Sequence, residues 1–356
     1  MRRAAALVLA ALVAALALTG CGGGDDEDAD DGARANDPFY GVISAEPLPG
    51  EAQLARLGEA GVGTLRINLA WGTVQSGPDA PYDWSHYDPV VRGAAENGVR
   101  VLATVYSTPS WAALTAEIPP LGPSLPAFED FVRAAAHRYG ADGSFWEDHP
   151  DVSKLPIADW QLWNEPNSPL FWKPSPDPGG YLDLLRAFTS AVKGVDRDAR
   201  IILGGLFPTP SGGISMDEFL RALYEGGGRQ LFDAVALHPY ARTPRDALDR
   251  VAQARQVMRG FGDTDKPIWI TEVGWASAGT PPTGLVVGPA GQADYLRQIF
   301  ELARDERERL GIAGVVWYSL NDTPGPLWVG HCGLFTIDGT PKTAWDTMVG
   351  IAGGRD

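Results

Sequence analysis

From Pro38 onward the sequence alternates eight times between a short apolar run and a longer stretch of helical periodicity. The apolar runs fall at 39–44, 64–71, 100–106, 157–163, 199–206, 232–238, 267–275 and 312–320. Several are continuous and not alternating, as parallel strands buried on both faces are. The helical stretches follow at 51–60, 88–97, 126–139, 181–195, 215–225, 244–259, 290–310 and 343–351, and Gly61, Gly98 and Gly140 stop three of them. This order predicts an α/β fold, a single (β/α)8 TIM barrel over 38–353, with insertions after strands 3, 4 and 8. An open doubly wound sheet would need a glycine-rich phosphate loop after its first strand, and Ser44-Ala45-Glu46-Pro47 is nothing of the kind.

The start of the chain has a different character. Met1-Arg2-Arg3 is basic, and an uninterrupted run of small and apolar residues from Ala4 to Leu18 has signal-peptide length. It is short for a membrane span, which takes roughly 20 apolar residues. Leu18-Thr19-Gly20-Cys21 resembles the lipobox of bacterial lipoproteins, which implies cleavage before Cys21 and lipidation at Cys21. The expected organisation is a leader at 1–20, a disordered acidic tether at 21–37 that includes Asp25-Asp26-Glu27-Asp28, and the barrel. The expected location is the outer face of a bacterial cell membrane, or secretion. With Cys21 lipidated, Cys332 is the one thiol left, and a structural disulfide is not expected. A formal net charge of −16 argues against nucleic acid as a partner and says nothing against neutral sugars.

In a barrel of this type, chemistry sits at the C-terminal ends of the strands. Those ends carry two carboxylates and many indoles. Glu165 closes the run at strand 4, and Glu272 lies in strand 7, three strand–helix units further on. Strands 4 and 7 face each other across the mouth, so the two carboxylates can flank one glycosidic bond. Glycoside hydrolysis needs such a pair: an acid for the leaving oxygen and a carboxylate against the anomeric carbon.

Trp163-Asn164-Glu165-Pro166 with Thr271-Glu272-Val273-Gly274-Trp275 resembles the glycoside hydrolases whose catalytic glutamates end strands 4 and 7. Tyr82-Asp83-Trp84, Thr108-Pro109-Ser110-Trp111-Ala112 and Asn167 to Trp172 resemble family 39 more than family 5. The resemblance implies a retaining mechanism, with Glu165 as acid/base and Glu272 as nucleophile. It implies that Asn164 holds the sugar 2-hydroxyl, Tyr240 donates to the nucleophile, and Arg66 keeps it ionised. His238 belongs to the same strand-6 motif, and Trp317 matches the indole flooring the reacting sugar. Retention implies carboxylates about 5 Å apart.

From the residues alone, Arg66 also fits a buried ion pair and His238 a satisfied core histidine. Trp71, Trp111, Trp172 and Trp275 fit either core packing or sugar platforms. His86, His137, His149 and His331 show no metal-ligand spacing, so neither a metal nor a cofactor is expected. The proline-stiffened loops at 118–123 and 323–328 are expected to wall the cleft. The partner is then an oligo- or polysaccharide, with the membrane reached through the anchor and the chain itself a monomer. A carbohydrate-binding barrel without turnover and a transglycosidase are the rival readings.

Overall fold

The computed structural model describes residues 36–44, 47–280 and 284–353. The 1–20 leader, Cys21 and the tether as far as residue 35 lie outside these. The strands are β1 (Tyr40–Ser44), β2 (Thr64–Ala70), β3 (Arg100–Tyr106), β4 (Asp159–Leu162), β5 (Arg200–Ile202), β6 (Val235–Leu237), β7 (Ile268–Val273) and β8 (Ile312–Tyr318). They pair in parallel in the order β5-β4-β3-β2-β1-β8-β7-β6. Parallel bridges Ile202–Ala234 and Leu206–Leu237 join β5 to β6 and complete the circuit. There the Leu206 N–H donates to Ala236 O and the His238 N–H to Leu206 O, both at 3.0 Å. The result is the eight-stranded parallel barrel expected of the alternating sequence.

Two apolar layers follow from the strand period of two. Leu65, Ile67 and Leu69 of β2, Val101, Ala103 and Val105 of β3, and Trp160 and Leu162 of β4 face outward into the large core under the helices. Ile43, Leu102, Ile202, Ala234, Ala236, Trp269 and Val316 form a second, smaller cluster. These alternate with the outward set along their strands and fill the barrel lumen, so the lumen is a packed core and not a pore.

The strands are shorter than the apolar runs, and the differences have local causes. β2 ends at Ala70, because Trp71 opens a short helix, Trp71–Val74. β4 ends at Leu162, because Trp163 takes a left-handed φ of 67°. The long C-terminal stretch divides at Glu306 into helices Gly288–Asp305 and Arg307–Leu310. Helix Pro178–Val195 starts ahead of the expected 181, because Asp177 caps it through the Gly179 N–H at 2.9 Å and Pro178 supplies a preset φ at the first position.

One side chain of that helix fastens the upper end of β4 to β5. The buried Tyr181 hydroxyl donates to Leu162 O at 3.1 Å and accepts from the Gly204 N–H at 2.8 Å. Tyr181→Phe keeps the ring packing and strands both backbone groups away from water. The expected cost is about 1–3 kcal/mol of unfolding free energy. It should read as a lower urea midpoint with unchanged slope; an unchanged midpoint would show the two groups are satisfied without Tyr181.

Candidate active site

The site is assembled around a buried guanidinium. Arg66 projects inward from β2 and has no exposed surface. Its Nε donates to Gln161 Oε1 at 2.8 Å, its Nη1 to Glu272 Oε1 at 2.6 Å and its Nη2 to Asn164 Oδ1 at 3.0 Å. Gln161 is itself fixed: its Oε1 accepts from Thr104 Oγ1 at 2.9 Å, and its Nε2 donates to Leu203 O at 3.0 Å and Thr271 Oγ1 at 3.2 Å. Strands β2, β3, β4 and β7 are thus tied through one polar layer above the apolar lumen. A buried cation requires such complete partnering.

The two carboxylates stand above this layer, each 8% exposed. Each reaches the site through a departure from regular strand geometry. On β4, Gln161 points inward and Leu162 outward. The left-handed φ of Trp163 then turns its indole into the outer core, and Asn164 and Glu165 both face the mouth. On β7, the four residues from Ile270 to Val273 match only the three from Val315 to Trp317 on β8. That bulge lets both Thr271 and Glu272 face inward. Glu165 has a φ of 39° and Ser107, at the end of β3, a φ of 82°. Left-handed backbone in a residue with a side chain costs on the order of 1–3 kcal/mol and concentrates at functional sites.

From β6 come the remaining groups. His238 is fully buried, with Nδ1 2.8 Å from Glu165 Oε1 and Nε2 3.6 Å from Glu272 Oε1. The Tyr240 hydroxyl donates to Glu272 Oε2 at 3.2 Å. One ligating atom each from Glu165, His238 and Glu272 lies within 4.8 Å of the others. That spacing would suit a divalent cation, but the donor set does not, because the Arg66 guanidinium already occupies Glu272 Oε1 and would repel one.

The electrostatics separate the two carboxyls. Burial pushes Glu165 well above the ordinary 4.5, the Glu272 charge pushes it further, and Arg66 opposes both. Burial also raises Glu272, but Arg66, through charge and hydrogen bond, and the Tyr240 hydroxyl pull it back. The shared proton therefore resides on Glu165 and the negative charge on Glu272. Burial and the facing Arg66 hold His238 well below its ordinary value, so it is neutral. Burial, then the Glu272 charge, raise the Tyr240 phenol and keep it a donor.

Glu165, Glu272, Asn164, Arg66, His238 and Tyr240 are brought together within one mouth. The indoles are distributed otherwise. Trp317 alternates outward from β8, fully buried, with Nε1 donating to Cys332 O at 2.9 Å. The aromatic that β8 sends inward is its neighbour Tyr318, half-buried and 6.4 Å from the Tyr240 ring. Trp317 therefore does not floor the mouth. Trp71 packs between Trp111, Phe128 and Phe131 with its Nε1 on Gln75 Oε1. Trp172 packs on Trp163 and Tyr181, and Trp275 on Tyr295 and Trp317 with its Nε1 on Ala241 O. These three are core residues and not sugar platforms. Only Trp111 of the four keeps exposed surface, its Nε1 held by Gln75 O at 3.0 Å.

Gln161 and Tyr318 carry no motif that marks them in the sequence as part of the site, whereas Tyr106 stands at a strand end. Tyr106 ends β3 with its ring 5.0 Å from Trp163 and 6.1 Å from Phe171. Counting by two along β8 from Val316 would have selected Tyr318 over Trp317. The 323–328 loop does wall the mouth, with the Trp328 ring 5.7 Å from Tyr240. Cys332 is a buried thiol whose pKa burial raises, so it is no nucleophile.

No protein-family model and no curated protein matches this chain. Solved structures do. A family 39 glycoside hydrolase from Bacteroides cellulosilyticus WH2 matches with a TM-score of 0.70 at 21% identity, over 89% of this chain and 64% of that one. This chain thus spans less than two thirds of that protein. A monomeric β-xylosidase from Caulobacter crescentus CB15 matches at 0.64 and 19%, over 90% and 69% of the two chains. A GH5_18 protein from Streptomyces cattleya matches at 0.67 and 15%, over 88% and 80%. At such identities the likeness establishes the (β/α)8 fold shared with family 39 and family 5 hydrolases.

The raised pKa of Glu165 has a consequence for stability. The folded protein binds a proton at Glu165 that the unfolded chain releases near the ordinary value of 4.5. Stability from this group is full below that value and is lost as pH rises toward the folded pKa. Glu165→Gln removes the titration. Its melting temperature should match or exceed that of wild type, with a gap widening from pH 5 to pH 8. A constant gap across that range would mean Glu165 titrates normally.

Proposed function

We propose that the chain is a retaining β-glycoside hydrolase acting on an extracellular or cell-surface glycan. One observation carries the reading: two buried carboxyls, oxygens within 4.8 Å, one bonded to His238 and raised well above the ordinary carboxyl range, the other held between Arg66 and Tyr240, which oppose its rise. Retaining enzymes hold their carboxyls about 5–5.5 Å apart, whereas inverting ones leave about 6.5–9.5 Å for a water. Likeness in fold to family 39 and family 5 glycoside hydrolases supports the same reading.

In the first step Glu272 attacks the anomeric carbon while Glu165 gives its proton to the glycosidic oxygen. The C–O bond breaks, the alcohol leaves, and the sugar is esterified to Glu272. Neutralising Glu272 removes the charge that had helped to raise Glu165, so Glu165 becomes a competent base. It takes a proton from water, the hydroxide attacks the anomeric carbon, and Glu272 is released as a carboxylate. Asn164, whose Oδ1 is held by Arg66 Nη2, presents its amide N–H groups to the sugar 2-hydroxyl. Tyr318 and Trp328 supply apolar faces at the mouth.

Hydrolysis of a panel of aryl β-glycosides tests the assignment. Glu272→Ala should lose roughly 10⁴-fold or more in kcat on whichever glycoside wild type cleaves. Equal inertness of wild type and Glu272→Ala on aryl glycosides and polysaccharides would favour a binding barrel. Glu165→Ala should recover rate with added azide and release a β-glycosyl azide; an α-azide contradicts retention.

We further propose that the chain is carried as a lipoprotein anchored at Cys21, on the strength of the Leu18-Thr19-Gly20-Cys21 pattern and the apolar leader. Cys21→Ser expressed in a bacterial host should move the protein from the membrane to the soluble fraction. Detergent-extracted wild type that lacks lipid by mass would overturn this.

A further inference from the structure

The β5–β6 junction, which closes the barrel, runs through Leu203-Gly204-Gly205-Leu206. Gly205 bridges in parallel to Asn164 on one side, and Leu206 to Leu237 on the other. Gly205 is therefore the backbone unit between the strand that carries the acid and the strand that carries His238. A Cβ on Gly205 would stand 2.0 Å from His238 Nε2, 2.3 Å from its Cδ2 and 2.7 Å from its Cε1. No side chain fits there while the imidazole keeps its place. The φ of Gly205 is not in the left-handed region, so the glycine serves space and not backbone conformation.

The ring so admitted lies between the two carboxyls. Nδ1 is at hydrogen-bond distance from Glu165, and Nε2 points at Glu272 from 3.6 Å with no hydrogen-bond partner of its own. A neutral imidazole carries one proton. Placed on Nδ1, it would leave the Nε2 lone pair against the ionised Glu272. Placed on Nε2, it faces that charge, and Nδ1 is left to accept from protonated Glu165.

We infer that Gly205 is a positioning residue for the acid: lacking a side chain, it admits His238 to the place where the ring, as its Nε2–H tautomer, accepts the Glu165 proton at Nδ1 and turns Nε2–H toward Glu272. This rests on the assignment of Glu165 as the acid. The arrangement makes the two protonation states interdependent, since one imidazole favours a proton on Glu165 and a charge on Glu272. The other groups that act on Glu165 are Arg66 from β2, Tyr106 from β3, Glu272 from β7, Tyr240 after β6 and Tyr318 from β8. His238 is faced by Arg66, Glu165 and Glu272.

The test begins without substrate. In ¹⁵N spectra of histidine-labelled protein at neutral pH, with His238 assigned by subtracting a His238→Gln spectrum, Nδ1 should show an unprotonated acceptor nitrogen and Nε2 a protonated one. The reverse pattern overturns the inference, whether or not Gly205→Ala folds. In ¹³C carboxyl titrations, with Glu165 assigned through Glu165→Gln, the Gly205→Ala variant should lower the Glu165 midpoint by about one pH unit, because the proton loses its acceptor. Adding Gly205→Ala to His238→Ala should shift nothing further. An unchanged midpoint in Gly205→Ala, or an additive effect in the double variant, overturns the inference. On a cleaved aryl glycoside, the basic limb of kcat/KM should fall by the same amount. Because the spectra need no turnover, failure of the hydrolase assignment and failure of this inference are told apart.

Discussion

Everything at the mouth of this barrel depends on one guanidinium being buried inside it. Arg66 lies where the lumen would otherwise be apolar, and its desolvation is offset only because Gln161, Asn164 and Glu272 accept from it and Thr104 and Thr271 fix Gln161 in turn. Such an arrangement is weak as a source of stability, since a well-packed hydrophobic replacement often does as well. Its effect is electrostatic. A fixed cation on β2 decides which of two buried carboxyls carries the charge, and Glu272 is the one it touches. The planar fork matters, because three acceptors on two other strands are reached at once; a lysine in the same place would supply a point charge without that geometry.

The second dependence is on the backbone. A regular strand presents every other residue to the lumen, so a regular β4 could offer Gln161 and residue 163 but not both Asn164 and Glu165. The left-handed turn at Trp163 resets the phase. The indole that would have entered the mouth goes outward, where its Nε1 donates to Phe171 O at 2.7 Å and holds down the loop after Glu165. The bulge in β7 does the same for Thr271 and Glu272. Strain and irregularity are thus spent at the two positions where adjacent residues must share a face.

This explains what was legible in the sequence. The alternation of apolar runs and helical stretches is a property of every turn of the barrel, so the fold could be read from it. Glu165 and Glu272 stand out because each ends or interrupts an apolar run, and a carboxylate there needs a reason. The indoles were harder. Trp172 lies in the loop after β4. Trp71, Trp275 and Trp317 lie near strand ends in the sequence, but placement in or out depends on strand phase. That phase is set by the turn at Trp163, the helix opening at Trp71 and the bulge between Ile270 and Val273. None of these has a side-chain signature of its own. Trp317 and Tyr318 are adjacent aromatics, and only the register of β8 distinguishes the one that reaches the mouth.

The same phase argument makes the closure of the barrel part of the site. β5 and β6 are the shortest strands, three residues each, and they meet only through isolated bridges. A longer, side-chain-bearing junction would pair more regularly, yet it would also fill the space under His238. Gly204 is constrained too, since a Cβ there would meet Leu162 O and Pro166 Cδ at 2.8 Å. Two consecutive glycines thus let β4 approach from one side and the imidazole from the other. The weakest seam of the sheet lies directly beneath the acid. Tyr181 bonds across the neighbouring β4–β5 junction, to Leu162 and Gly204, which makes the helix after Glu165 a support for the residue it follows.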